Sequence, residues 1–304
     1  MGPNRELQEL SNQPEAKNFL RTAFAWRGSV TPRVLPRVAA AAVYSIIAVY
    51  LANQFPTYSL SITPFEYSGV VLGLLLVWRV NSGLERWWEA RKIWGSIVNQ
   101  SRNLALIGYG YSSAEQQLRQ KFLRWVAAGP YIMRDSLRND RHLSEVESLI
   151  GETAAQDTRE AVHMPTYWGS QIVQLLGQLR AFGLDDFAFH QAERERALLI
   201  DAIGACERIR NTPMPFVLAI KARRFIVLFL LLLPIAFADR IGWMTPFVVA
   251  LASYPLFSLD EIGAELQNPF SPRNLSHLPL TTICKNIESN VMSLEQASEP
   301  QLAA

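Results

Sequence analysis

Thr63-Pro64-Phe65-Glu66-Tyr67-Ser68-Gly69-Val70-Val71-Leu72-Gly73-Leu74-Leu75-Leu76-Val77-Trp78-Arg79-Val80-Asn81 is the stretch whose reading decides the fold. Thr is a good N-cap and Pro suits the first helical position, where its missing N–H is not needed. Glu66 then falls at N3, completing a capping box and placing the one charge of the region where the helix dipole favours an anion. No charge follows until Arg79. A helix from Pro64 to about Asn81 therefore matches a hydrocarbon core of ~30 Å.

The same Thr-Pro punctuation occurs at Thr31-Pro32, Thr212-Pro213 and Thr245-Pro246, each shortly before an apolar stretch. These predict a first span over about 33–52, a third from Pro213 to Ala238 and a fourth from Pro246 to Leu259. The fourth reaches only about 21 Å, short of the usual 17–25 residues unless polar flanks extend it or neighbouring helices shield it. The tight Asp239-Arg240-Ile241-Gly242 connection makes the last two a helical hairpin. Pro234 and Pro255 are candidate breaks within them.

Charge is distributed in two phases. Residues 38–78 contain only Glu66, and residues 225–259 only Asp239 and Arg240, whereas residues 79–224 carry 20 Lys/Arg and 16 Asp/Glu. That middle has the charge content of a water-exposed fold. A simple soluble enzyme and a transporter made almost entirely of spans are both excluded. The formal net charge of +2 argues against a nucleic-acid binder, which would carry a basic stripe.

Arg21, Arg27, Arg33 and Arg37 precede the first span, the connection 53–63 has no Lys or Arg, and Arg79, Arg86, Arg91 and Lys92 follow the second. The positive-inside rule puts both termini and the charged middle in the cytoplasm of a multi-pass protein of the inner membrane. The N-terminus lacks the apolar core of a signal peptide.

Three- and four-residue spacing of Leu84, Trp87, Trp88, Arg91, Trp94, Ile97, Val98 and Ser101 continues the second helix into the cytoplasm. Further helices are predicted at 114–138, 143–160, 165–182 and 189–210, with breaks near Gly129-Pro130 and Phe182-Gly183. No strand alternation appears. The last dozen residues are expected to be disordered.

Chemistry is sparse. Cys206 and Cys284 have no disulfide or zinc spacing. His142, His163, His190 and His277 are dispersed, and no metal or cofactor is expected. Asp185-Asp186 and Glu193/Glu195 are candidate paired carboxylates, but such pairs are common on helix surfaces. Lys221, Arg223 and Arg224 read as a solvated or headgroup-facing cluster.

The second span carries two stripes. Gly69 and Gly73 form a GxxxG face that admits a close helix. Val70, Leu74 and Trp78 align at i, i+4, i+8. Spacing alone favours plain packing or lipid contact for this stripe. The alternative is a hydrophobic constriction around an axis shared by several copies, gating by dewetting.

The run from Leu76 through Asn81, Arg86-Trp87-Trp88-Glu89-Ala90-Arg91 and Trp94-Gly95 resembles the bestrophin family in its bacterial form. So do Cys206-Glu207-Arg208-Ile209-Arg210-Asn211-Thr212-Pro213, Glu265-Leu266-Gln267-Asn268-Pro269-Phe270, and Leu278-Pro279-Leu280 leading to Ile287-Glu288. The resemblance covers roughly residues 20–292. It implies an all-α subunit with four transmembrane helices and a cytoplasmic helical region, in a homopentamer around a central pore. Asn81, Arg86, Trp87, Trp88, Glu89 and Arg91 are the family motif.

By the same resemblance Val70, Leu74 and Trp78 line the family's hydrophobic neck, with Trp in place of the usual Phe at the innermost position. Phe187 matches its cytoplasmic aperture. The acidic run by which animal members hold calcium is replaced here by Ser271-Pro272-Arg273-Asn274-Leu275, so no calcium clasp is expected.

Together these readings divide the chain into a cytoplasmic segment 1–30, a first membrane pair 31–83, a cytoplasmic helical region 84–212, a second membrane pair 213–259 and a cytoplasmic segment 260–304. The resemblance implies a passive channel for small monovalent ions, with chloride or another anion expected ahead of sodium, the lipid bilayer and further copies of itself as partners, and no nucleic acid. The resemblance leaves the sign of the ion open, because animal members pass chloride while bacterial ones can favour cations. A secondary transporter and a membrane scaffold remain as other classes. The first would be expected to show inverted repeats and an intramembrane ionisable site.

Overall fold

The structure is a computed structural model that describes residues 19–26, 28–54 and 60–297. Residues 1–18, 27, 55–59 and 298–304 lie outside the described residues, and with them Arg27 of the charge asymmetry, part of the cationless connection after the first span and the end of the tail. The chain is all-helical across the described residues, which contain no strand. The helices are α1 (Phe19–Ala23), α2 (Thr31–Gln54), α3 (Thr63–Gly110), α4 (Gln116–Arg138), α5 (Ser144–Ile150), α6 (Glu152–Glu160), α7 (Met164–Ala181), α8 (Asp186–Asn211), α9 (Phe216–Ile241), α10 (Thr245–Glu265) and α11 (Leu280–Ala297). They fall into two compact units, the first made of the chain to Trp87 with 213–268 and 273–276, the second of 88–212, 269–272 and 277 onward.

In the first unit one apolar core joins three helices. Leu72 and Leu76 of α3 meet Ala222, Ile226, Leu230 and Leu233 of α9 and Val249 of α10. Contacts of this kind gain from close packing of side chains rather than from transfer out of water wherever the surroundings are lipid. Polar anchors fix the helices against one another. The Tyr44 hydroxyl donates to the Leu231 carbonyl at 2.9 Å, and Thr31 Oγ1 lies 2.9 Å from the Tyr254 hydroxyl.

The helix starts bear partly on the Thr-Pro reading. α2, α3 and α10 begin at Thr31, Thr63 and Thr245 themselves, so each Thr lies inside the helix and not at its N-cap. Ser29 serves α2 instead, accepting from the Thr31 N–H at 3.1 Å. Thr212-Pro213 departs furthest. Its helix starts three residues after Pro213, at Phe216, and Thr212 Oγ1 donates to the Arg208 carbonyl at 2.5 Å, satisfying the end of α8 rather than the start of α9.

α10 is also longer than expected, 21 residues reaching Glu265, or about 31 Å. Its added turns carry Asp260, Glu261 and Glu265, and each is paired. Arg79 Nη1 is 3.1 Å and Arg223 Nε 3.0 Å from the Asp260 carboxylate. Arg37 Nη1 is 2.8 Å from Glu261, and Arg33 bonds Glu265. Pro234 and Pro255, candidate breaks, lie within continuous helices. Among the described residues, α2 and α3 are long and apolar enough to cross a membrane by length and composition.

The second unit is built on α4, which is buried along most of its length from Phe122 to Leu137. Gly129-Pro130 does not break it. A Cβ on Gly129 would lie 2.6 Å from the Trp168 ring, so the missing side chain seats that indole, whose Nε1 donates to the Trp125 carbonyl at 2.7 Å. Tertiary packing here outweighs the helix-breaking tendency of the dipeptide. A break occurs instead at Gly151, with φ +87°, dividing the predicted 143–160 helix into α5 and α6. Gly183, with φ +100°, makes the expected turn between α7 and α8. α11 runs to Ala297, so the start of the supposedly disordered tail is helical.

Candidate functional site

α3 separates its faces by burial. Leu72 and Leu76 are wholly buried, whereas Val70, Leu74 and Trp78 are 64%, 66% and 52% exposed. The stripe from the i, i+4, i+8 spacing is therefore not part of this subunit's own core. The GxxxG face is used at one position only. A Cβ at Gly69 would lie 3.6 Å from the Phe229 ring of α9, while Gly73 has no neighbour within 4 Å.

Nearly three turns beyond Gly73, α3 passes close to the end of α10. A Cβ on Gly83 would sit 2.8 Å from Leu266 Cβ, so only glycine permits this approach. Two of the residues read as the family motif, Arg86 and Trp87, bond close to it. Arg86 donates from Nε and Nη2 to the Gln267 carbonyl at 3.4 and 3.3 Å, and Trp87 Nε1 donates to the Ser276 carbonyl at 2.7 Å. Arg86 and Trp87 thus tie α3 to the turn after α10.

In the second unit Glu89 pairs with Arg208 of α8 at 3.2 Å. Asn81, Trp88 and Arg91 are exposed.

The turn that replaces the acidic run is occupied by internal bonds. Asn274 Nδ2 donates to the carbonyls of Glu265 and Asn268 at 3.0 and 2.9 Å, and the Leu275 N–H donates to Glu265 Oε2 at 2.5 Å. Glu265, the nearest carboxylate in sequence, is thus taken up by Arg33 and Leu275. Among the described residues no group of three or more His, Cys, Asp and Glu is arranged to hold a metal ion.

Phe187 stands in the first turn of α8, 74% exposed. Asp185 caps that helix, its Oδ1 accepting from the N–H groups of Phe187 and Ala188 at 2.8 and 3.1 Å. Asp186 and Glu193, half of the paired carboxylates noted in the sequence, pair with Arg180 and Arg196, both at 2.8 Å. Of the dispersed histidines, His163 caps α7 and places Nε2 2.7 Å from Glu207. The Cys206 and Cys284 thiols are free and pushed up to about 12 by burial, which leaves them unreactive near neutral pH.

Sequence reading missed the charge network at the centre of the second unit. Arg134, side chain 6% exposed, forks onto Asp135 at 2.6 and 3.0 Å and onto Glu145 at 3.1 and 3.2 Å. Burial works against the Arg134 charge, yet the hydrogen bonds to the two carboxylates outweigh it and hold its pKa above the ordinary value. The Arg134 hydrogen bond keeps Glu145 below the usual carboxylate range.

The family model for the bacterial and fungal bestrophin protein matches residues 10–293. The chain belongs to the bestrophin family. A voltage-dependent anion channel-forming protein of Mesorhizobium japonicum is 35% identical over 308 residues, covering 99% of this chain and 97% of the relative. One from Nostoc is 32% identical and covers 93% of each chain. Among solved structures, a bacterial bestrophin homolog from Klebsiella pneumoniae superposes with a TM-score of 0.80 at 26% identity, over 86% of this chain and 98% of that one.

Proposed function

We propose that this bestrophin is the subunit of a passive anion channel of the inner membrane, pentameric, with both termini cytoplasmic. The relatives from Mesorhizobium and Nostoc, named as anion channel-forming proteins, support the anion reading. The observation that carries the pore reading is the exposure of Val70, Leu74 and Trp78 on a helix whose adjacent stripe is buried. In a pentamer these side chains form a hydrophobic neck, and water leaves such a constriction unless it widens. α2 and the first part of α3 cross the bilayer as one pair, and α9 and α10, long enough once the polar end of α10 is included, as a second. Phe187 supplies the cytoplasmic aperture.

The neck contributes no fixed charge. Trp ring edges and helix N-termini favour anions, while Glu66 in the first turn of α3 opposes them. Calcium plays no part in gating, because the 271–275 turn has no carboxylate and Glu265 is already bonded by Arg33 and Leu275. With valinomycin present to carry potassium out as the counter-ion, purified protein in liposomes loaded with potassium chloride is expected to release chloride down its gradient at the same rate with calcium or with a chelator. Absence of flux would contradict the channel, and loss of flux on chelation would contradict the calcium reading alone.

A further inference from the structure

Arg180 lies in the last turn of α7 and Asp186 in the first turn of α8, facing each other across the Gly183 turn. Arg180 Nε is 2.8 Å from Asp186 Oδ1, and the guanidinium lies 5.1 Å from the centroid of the Phe189 ring. The side chains are 52% and 72% exposed. An ion pair this exposed adds at most ~1 kcal/mol to stability. Its position matters more than its energy, since Asp186 immediately precedes Phe187 and its neighbour Asp185 is a second carboxylate. The Asp185 charge is turned onto its own helix N-terminus, where two backbone N–H groups bind it. The Asp186 charge faces Arg180 at 2.8 Å, and the ring contact with Phe189 holds that cation in place.

We propose that Arg180 sets charge selectivity at the aperture. Paired to Asp186, it prevents a ring of uncompensated carboxylates beside Phe187 from repelling anions. The inference rests on the reading of Phe187 as an aperture residue in a multi-subunit pore. Five copies make the effect large, because each Arg180 lost removes one positive charge per subunit from the mouth of a narrow apolar passage, where like charges sum. The field is screened over ~8 Å at physiological salt and reaches further when salt is dilute.

The test is the reversal potential of full-length protein in planar bilayers under a sodium chloride gradient, for Arg180→Gln, Asp186→Asn, the double variant and Phe187→Ala. Arg180→Gln is expected to lower the chloride-to-sodium permeability ratio by about threefold or more, and further in dilute salt. Asp186→Asn should raise the ratio, and the double variant should return toward the parent. A merely structural role for the pair would not give shifts of opposite sign that cancel. If neither single variant moves the reversal potential while Phe187→Ala raises conductance, the charge inference is overturned and the aperture stands. If Phe187→Ala also leaves conductance unchanged, the aperture reading fails and takes this inference with it.

Discussion

Trp78→Ala is expected to raise single-channel conductance or open probability by roughly tenfold, because it removes the largest ring of the proposed neck from every copy. Water wets an apolar passage steeply as its radius grows, so truncating the bulkiest residue should exceed the gain from Leu74→Ala, which should raise conductance by a smaller factor. Both side chains are more than half exposed, so neither substitution opens a cavity in the subunit. Leu72→Ala is the control. It lies on the same helix but is wholly buried against α9 and α10, and its loss should cost about 2–5 kcal/mol of stability without a conductance gain. Unchanged current and open probability in both neck variants would sink the neck assignment.

Arg134→Ala carries the largest expected loss of stability. It leaves Asp135, whose side chain is 2% exposed, without its cation in the core of the second unit. Removing one member of a buried pair costs ~3–5 kcal/mol, which should lower the thermal midpoint of the detergent-solubilised protein by roughly 10 °C. The sign of the pH dependence follows from burial, which pushes the Asp135 carboxyl up even in the parent. Without Arg134 the carboxyl protonates more readily still, so the folded variant binds a proton more tightly than the unfolded chain. Its deficit should therefore shrink as the pH falls and grow as it rises. A melting curve unaltered between parent and variant at pH 8 would show that the network contributes nothing.

Much of the helical architecture is legible because its signals are local. The second helix is visible from Thr63 to Ser101 as an apolar run followed by three- and four-residue spacing, and the Gly183 turn is visible as a glycine after a periodic stretch. Misreadings arose where a distant residue changed the outcome. Gly129-Pro130 looks like a break until Trp168 is brought against it. α10 looks short until its acidic end meets Arg33, Arg37, Arg79 and Arg223.

The candidate site divides in the same way. The i, i+4, i+8 stripe is written in sequence, but only burial separates it from the Leu72/Leu76 stripe two positions away. The Arg180–Asp186 pair was within reach, since its members are six residues apart, at the end of one predicted helix and the start of the next. The Arg134 fork was not, because Glu145 reaches it from another helix across an irregular turn.

The most direct measurement is the current of purified, reconstituted protein in a bilayer with a sodium chloride gradient. An anion channel predicts a sustained current whose reversal potential lies toward the chloride equilibrium potential. A reversal potential at the sodium equilibrium potential would contradict anion selectivity, and a silent bilayer containing folded, oligomeric protein would contradict the channel itself.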